Sequence, residues 1–431
     1  MLTGFELKID EENKLNLLFF FHLFVAVFFF FLFLYLSIKL KPTPIRDFAG
    51  YWESSKNINL SSKGGILTLL YFPFRAMNFP AHFSALFVNS FCWFLFGYVL
   101  WIYKRAEDNF FLQFFSTIFY FLIGFSFAGF SSIVCSEIPH VVLVCFGLRY
   151  FFLSFCNKNY QYKTGFLILG LGLSIRTASC YVFFAYILFL SLIFIFFKFY
   201  SLSIKKIILS FFCSIIFGFF LHEAFVFNNN SLKSDNFFRY MMYYGLFGNE
   251  INSYCGRVNS RVANFVVVPE KDTSIKEVLF KNFYNRAFYI LKLMAYKVRL
   301  FLSYKYISSM WLKHSSLRTN KNSSSIVLVK RNENIDINVI DKVFFLEKFF
   351  FKILKIFFYI VLFFGVFKIV CFWPVLVTLN YVGLISILLF LFFIVFHSIV
   401  EIQERYFLPV LIFPFVIFVL LESNSYIKNL N

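Results

Sequence analysis

Between Lys14 and Lys39 the chain reads "LNLLFFFHLFVAVFFFFLFLYLSI", without one Asp, Glu, Lys or Arg. A helix rises about 1.5 Å per residue, so about 20 apolar residues cross the ~30 Å hydrocarbon core of a bilayer. Runs of this kind recur along the whole chain. Backbone N–H and C=O groups in lipid must find partners inside the protein, which leaves helices or closed barrels. A barrel needs strands of about ten residues that alternate apolar and polar. These runs are continuous instead. The expectation is an all-α polytopic membrane protein. The first run has no small-residue cleavage site, so it reads as a retained span rather than a cleaved signal peptide.

Composition narrows the function classes. Hydrophobic residues make up 60% of the chain and the net charge is +19. In a chain of this hydropathy, such a charge fits cytoplasmic loops and anionic lipid headgroups, and not nucleic acid. The eight cysteines form no CxxC pair, so neither a disulfide framework nor a zinc site is indicated.

About ten spans are expected, with boundaries good to a few residues. They fall near 15–38, 83–103, 110–130, 134–155, 164–178, 180–197, 206–225, 355–372, 376–399 and 406–421. The basic loops "YKRAED", "NKNYQYK" and "KFYSLSIKK" share one side if the N-terminus is cytoplasmic. Lys39, Lys41, Arg46, Lys56, Lys63 and Arg75 in the first opposite loop run against that orientation. Three parts follow: an N-terminal module 1–225 with its first outer loop 39–82, an outer polar segment 226–354, and a C-terminal module 355–431. Within the polar segment, 275–305 scatters Lys and Arg among Leu, Phe and Tyr. That pattern suits an amphipathic helix on the membrane surface, or equally one packed on the rest of the segment.

Four stretches place polar chemistry at the same predicted membrane edge. In "KPTPIRDFAGYWESS", Pro42 and Pro44 stop the first span, and Asp47 opens a short interfacial helix carrying Tyr51 and Trp52. Asp47 is either an N-cap of that helix or a reactive carboxylate. Glu137 begins a span, where the helix dipole already favours an acid. His140 follows one turn later, as a helix-face residue rather than a metal ligand. Arg176 interrupts the Gly-rich run "GFLILGLGLSIRTAS", whose Gly165, Gly170 and Gly172 permit close helix packing. An arginine inside an apolar run is a candidate functional residue or a snorkelling one, and its planar fork suits phosphate. Last, "EIQERYFLPVLIFP" puts Glu404, Arg405 and Tyr406 before the final span; the alternative is an ordinary Arg–Tyr interfacial anchor. Two acids and two arginines from distant spans, on one face, could surround one anionic headgroup and one nucleophile.

The order of these motifs resembles the polyprenyl-phosphate-sugar-dependent integral membrane glycosyltransferases of the GT-C superfold. The similarity is greatest to bacterial relatives of the protein O-mannosyltransferases and aminoarabinose transferases. "RDFAGYW" is similar to their first-loop aspartate with its aromatic helix, and "SEIPHVVLVCFGLRYF" to their span-opening glutamate. "GLGLSIRTAS" matches a Gly-rich span ending in arginine, with Thr177 where proline is common. "EIQERYFLPVLIFP" matches the last outer loop. Many relatives carry paired acids in the first loop, whereas Phe48 follows Asp47 here.

The resemblance implies an inverting sugar transfer on the outer, periplasmic or lumenal, face. Asp47 would be the general base. Arg176 and Arg405, with help from Arg46, would hold the departing polyprenyl phosphate. Glu137, Tyr51, Tyr406 and Glu404 would line the pocket, Glu137 either orienting the acceptor or pairing with an arginine. The donor would be a polyprenyl-phosphate sugar and the acceptor a glycan, lipid or protein, with no metal or other cofactor implied. Rival readings are a flippase for a lipid-linked saccharide and an O-antigen-type polymerase. A flippase would place charges deep in the bundle or break helices at mid-membrane.

Overall fold

The computed structural model describes residues 11–42, 44, 47–56, 66–101, 110–157, 162–196, 202–226, 337–371, 381–399 and 407–422, with isolated positions between 291 and 302. The described residues are all-helical. The α-helices described in full are α1 (Glu11–Leu40), α2 (Asp47–Ser54), α3 (Ile66–Ala76), α4 (Ala81–Trp101), α5 (Phe110–Ser126), α6 (Glu137–Asn157), α7 (Tyr162–Ile175), α8 (Thr177–Phe196), α9 (Leu202–Val226), α10 (Ile337–Cys371), α11 (Tyr381–Ile399) and α12 (Phe407–Glu422). Two stretches among the described residues, Phe20–Leu40 and Ala81–Leu100, are long and apolar enough to cross a membrane; seven further helical stretches are apolar but shorter. The amphipathic helix expected over 275–305 lies almost wholly outside the described residues.

Local chemistry explains where the helices stop. α1 ends at Leu40 because Lys41 turns to φ 36° and Pro42 brings no N–H. The Lys41 N–H still donates to the Ser37 carbonyl. α3 closes with a Schellman motif, in which Phe79 N–H donates to Phe74 O and Asn78 N–H to Arg75 O. Asn78 supplies the left-handed residue at φ 57°, Phe74 packs on Phe79, and Pro80 follows.

α10 differs from expectation. It begins at Ile337, well inside the segment 226–354, and not near 355. Its first half buries Val339, Val343, Glu347 and Phe351 at four-residue spacing and exposes Asp341, Lys342 and Lys348 beside Phe345, Leu346 and Phe349. A hydropathy window averages such a stripe away, although the four-residue spacing is helical.

The helices run up and down so that many ends meet at one end of the bundle. The Ser37 hydroxyl at the end of α1 donates to the His82 carbonyl at the start of α4. Phe125, at the end of α5, stacks on Phe350 of α10. Tyr181 in α8 stacks on Phe396 near the end of α11. α6 is the central helix, buried from Ser131 through Val142 together with the turn that precedes it. Glycines let its neighbours close in. A Cβ on Gly172 of α7 would lie 2.7 Å from the Val144 nitrogen of α6, and one on Gly218 of α9 would lie 2.8 Å from the Gly170 carbonyl. The close packing expected from Gly170 and Gly172 is thus with α9 and α6 respectively.

Candidate functional site

The site grows from an immobilised turn between α5 and α6. Asn89, buried in α4, points its side-chain amide at the carbonyls of Phe130, Ser131 and Ile133, at 3.0, 3.0 and 3.2 Å. The buried Tyr71 hydroxyl of α3 donates to the Cys135 carbonyl at 3.3 Å. Burial pushes that phenol well above the usual tyrosine range, so it remains a donor. Two residues after Cys135 the chain enters α6 at Glu137.

The Glu137 side chain is 0% exposed, and its Oε1 accepts a hydrogen bond from Arg176 Nη1 at 2.8 Å. Arg176 is not within a helix. It occupies the single residue between α7 and α8, and its side chain is 14% exposed. The spans expected at 164–178 and 180–197 therefore meet at this arginine. Ser136 Oγ lies 3.4 Å from Glu137 Oε2 and 3.4 Å from the Tyr51 hydroxyl. A chain of polar side chains thus joins α2, the start of α6 and the α7–α8 elbow.

α2 is tucked in rather than laid open. Phe48, Trp52 and Ser55 are buried along one stripe, and Phe48 packs on Phe130. Trp52, expected at headgroup depth, is covered by the Arg75 guanidinium at 4.7 Å from the ring centroid. Glu53 pairs with Arg75 at 3.8 Å. Asp47 opens α2 one helical turn before Tyr51. The Asp47 side chain, Arg46, Glu404, Arg405 and Tyr406 lie outside the described residues. α12 begins directly after Tyr406, and its Leu408 lines a small apolar cavity with Ile138, Trp93, Phe96 and Phe127. The start of α12 therefore sits beside the start of α6.

Of the predicted site residues, Glu137, Arg176 and Tyr51 are brought together. Sequence reasoning gave no weight to Asn89, Arg149, Ser179 or His222. Asn89, Arg149 and His222 are polar inside expected spans, and that was the signal available; Ser179 falls between two expected spans and carried none. His140 proves to be a buried tie between helices: Nδ1 is 2.7 Å from the Gly172 carbonyl and Nε2 2.8 Å from Ser179 Oγ. The carbonyl fixes the tautomer, with Nδ1–H donating and Nε2 accepting from the serine. Among the described residues no three His, Cys, Asp or Glu side chains gather as a metal ion requires. Comparison with protein-family models, curated proteins and solved structures finds no match for this chain.

Proposed function

We propose that this chain is a membrane glycosyltransferase that moves a sugar from a polyprenyl-phosphate donor to an acceptor. In this reading α1 and α4 to α12 are the ten spans, and α2 and α3 belong to the first outer loop. The end of the bundle that carries Glu137 faces the periplasm of a bacterial inner membrane, or a lumen. The observation that supports it best is the polar chain Tyr51–Ser136–Glu137–Arg176, which links three of the four stretches singled out by their chemistry.

Each residue then has a task. Asp47 takes the proton of an acceptor hydroxyl or amine as that atom attacks the anomeric carbon. The bond between that carbon and the phosphate oxygen breaks, and the electron pair leaves with the polyprenyl phosphate. Arg176 and Arg405, joined by Arg46, stabilise that dianion. Glu137 orients the Arg176 guanidinium, and Tyr51 offers a hydroxyl at the pocket wall.

Membranes carrying the chain, incubated with labelled polyprenyl-phosphate sugars, test this directly. Wild type is expected to form a glycosidic bond, and Asp47→Asn to lose about 10²- to 10⁴-fold in rate. An Asp47→Asn rate equal to wild type removes the base. Movement of the saccharide across the bilayer with no bond formed makes the protein a transporter.

A further inference from the structure

Arg176 sits where a helix has been interrupted, and two histidines from other helices take over what the interruption releases. In an unbroken helix the Gly172 carbonyl would accept the N–H of residue 176 and the Ser174 carbonyl that of residue 178. Here the Arg176 N–H turns to Leu173 O at 3.1 Å. His140 of α6 comes to the Gly172 carbonyl at 2.7 Å, and His222 of α9 comes to the Ser174 carbonyl at 2.8 Å. The second half of the elbow is held from the same side: Ser179 N–H donates to Arg176 O, and the Ser179 hydroxyl reaches His140 Nε2 at 2.8 Å. The imidazole of His140 thus spans the break, with one nitrogen on α7 and the other on α8.

A buried carbonyl without a donor costs free energy, so the elbow is stable only while these side chains satisfy it. The elbow in turn sets the direction in which the Arg176 side chain leaves the backbone, toward Glu137. We propose that His140 and His222 are positioning residues. They cap α7 in place of its own backbone, and through the elbow they aim the Arg176 guanidinium into the site. The phosphate half of this inference rests on the glycosyltransferase reading; the elbow half does not.

The test uses the full chain in detergent or lipid nanodiscs, with His140→Leu, His140→Asn, His222→Leu and Arg176→Gln. One readout is backbone hydrogen exchange over residues 173–180. The other is affinity for a polyprenyl monophosphate probe. His140→Leu is expected to speed exchange at the elbow about tenfold and to weaken the probe about tenfold, the effect of one buried hydrogen bond. His140→Asn keeps an N–H near the Nδ1 position but gives up the contact with Ser179, and is expected to recover part of both. Added to Arg176→Gln, His140→Leu is expected to cost no further affinity. Should His140→Leu fail to fold, His222→Leu, at a half-buried position, carries the same expectations. The proposal is overturned if elbow exchange is unchanged, if it rises equally along all of α6 and α7, or if the His140 and Arg176 losses add in full. A wild type that binds no probe overturns the phosphate half and the transferase reading, and exchange then decides the elbow alone.

Discussion

α6 carries a buried ion pair at one end and a buried arginine at the other, and the two ends are built differently. At its start, Glu137 meets Arg176 across helices, beside a broken backbone and the hydroxyl or imidazole side chains of Tyr51, Ser136, His140 and Ser179. Near its far end, Arg149 is 6% exposed and donates to the Tyr98 carbonyl of α4 at 3.1 Å. Its guanidinium also lies over the Tyr98 ring, 4.2 Å from the centroid. One arginine is therefore held by a buried acid beside a break in the helix. The other is held by a carbonyl and an aromatic face on an unbroken helix. An arginine paired with an acid at a break between helices is a candidate for chemistry; one lying over an aromatic ring on an unbroken helix is a candidate packing element.

The harshest way to break this comparison is to remove Glu137. Glu137→Leu leaves the Arg176 charge in a mostly buried place, and taking one partner from a buried pair costs about 3–5 kcal/mol. Thermal unfolding should show it as the largest loss of the series. Glu137→Leu combined with Arg176→Met should recover most of that stability, because two apolar side chains of similar volume replace the pair. Sugar transfer should stay lost in the double variant. Recovered transfer would make the start of α6 as purely structural as its far end.

The glycines sharpen the contrast at intermediate cost. Gly172→Ala sets a Cβ 2.7 Å from the Val144 nitrogen, and Gly147→Ala sets one 2.6 Å from the Leu169 nitrogen. Both neighbours are backbone, so α6 and α7 must separate, at about 1–3 kcal/mol for either variant. Only Gly172 also presents the carbonyl that His140 holds. Unfolding temperatures should fall alike, while the transfer rate falls further in Gly172→Ala. Equal rates in the two variants would detach the elbow from the site.

How much of this was readable in advance depended on whether a feature is local. Pro42 announces the end of α1, Glu137 the start of α6, and the glycines of α7 a close approach, since each acts through its own backbone or volume. Arg176 was visible as a charge in an apolar run, but its lack of helix was not, because Thr177 and Ala178 propagate helix well enough. The pairing of Glu137 with Arg176 was one of two options. Choosing between them needs to know that α7 lies against α6. The same holds for His140, whose two partners are 32 and 39 residues away. The early start of α10 was hidden for a different reason: Asp341, Lys342, Glu347 and Lys348 lowered the mean hydropathy of a segment that is helical from Ile337.

The smallest effect belongs to the regular end of α6. Arg149→Lys keeps the charge and the donor to the Tyr98 carbonyl within reach, and loses the flat stacking on the ring. Cation–ring attraction is worth about 2 kcal/mol at a desolvated site, and lysine keeps part of it, so the net loss is about 1 kcal/mol or less. The expected result is a small fall in unfolding temperature with sugar transfer unchanged, since Arg149 reaches Tyr98 of α4 and lies about three helical turns from Glu137. Arg176→Lys is the matched control: lysine is a point charge where a planar fork was held against a carboxylate, and transfer should drop steeply. If the two substitutions lowered transfer by the same factor, what matters would be charge anywhere in the bundle, and the distinction between the ends of α6 would fall.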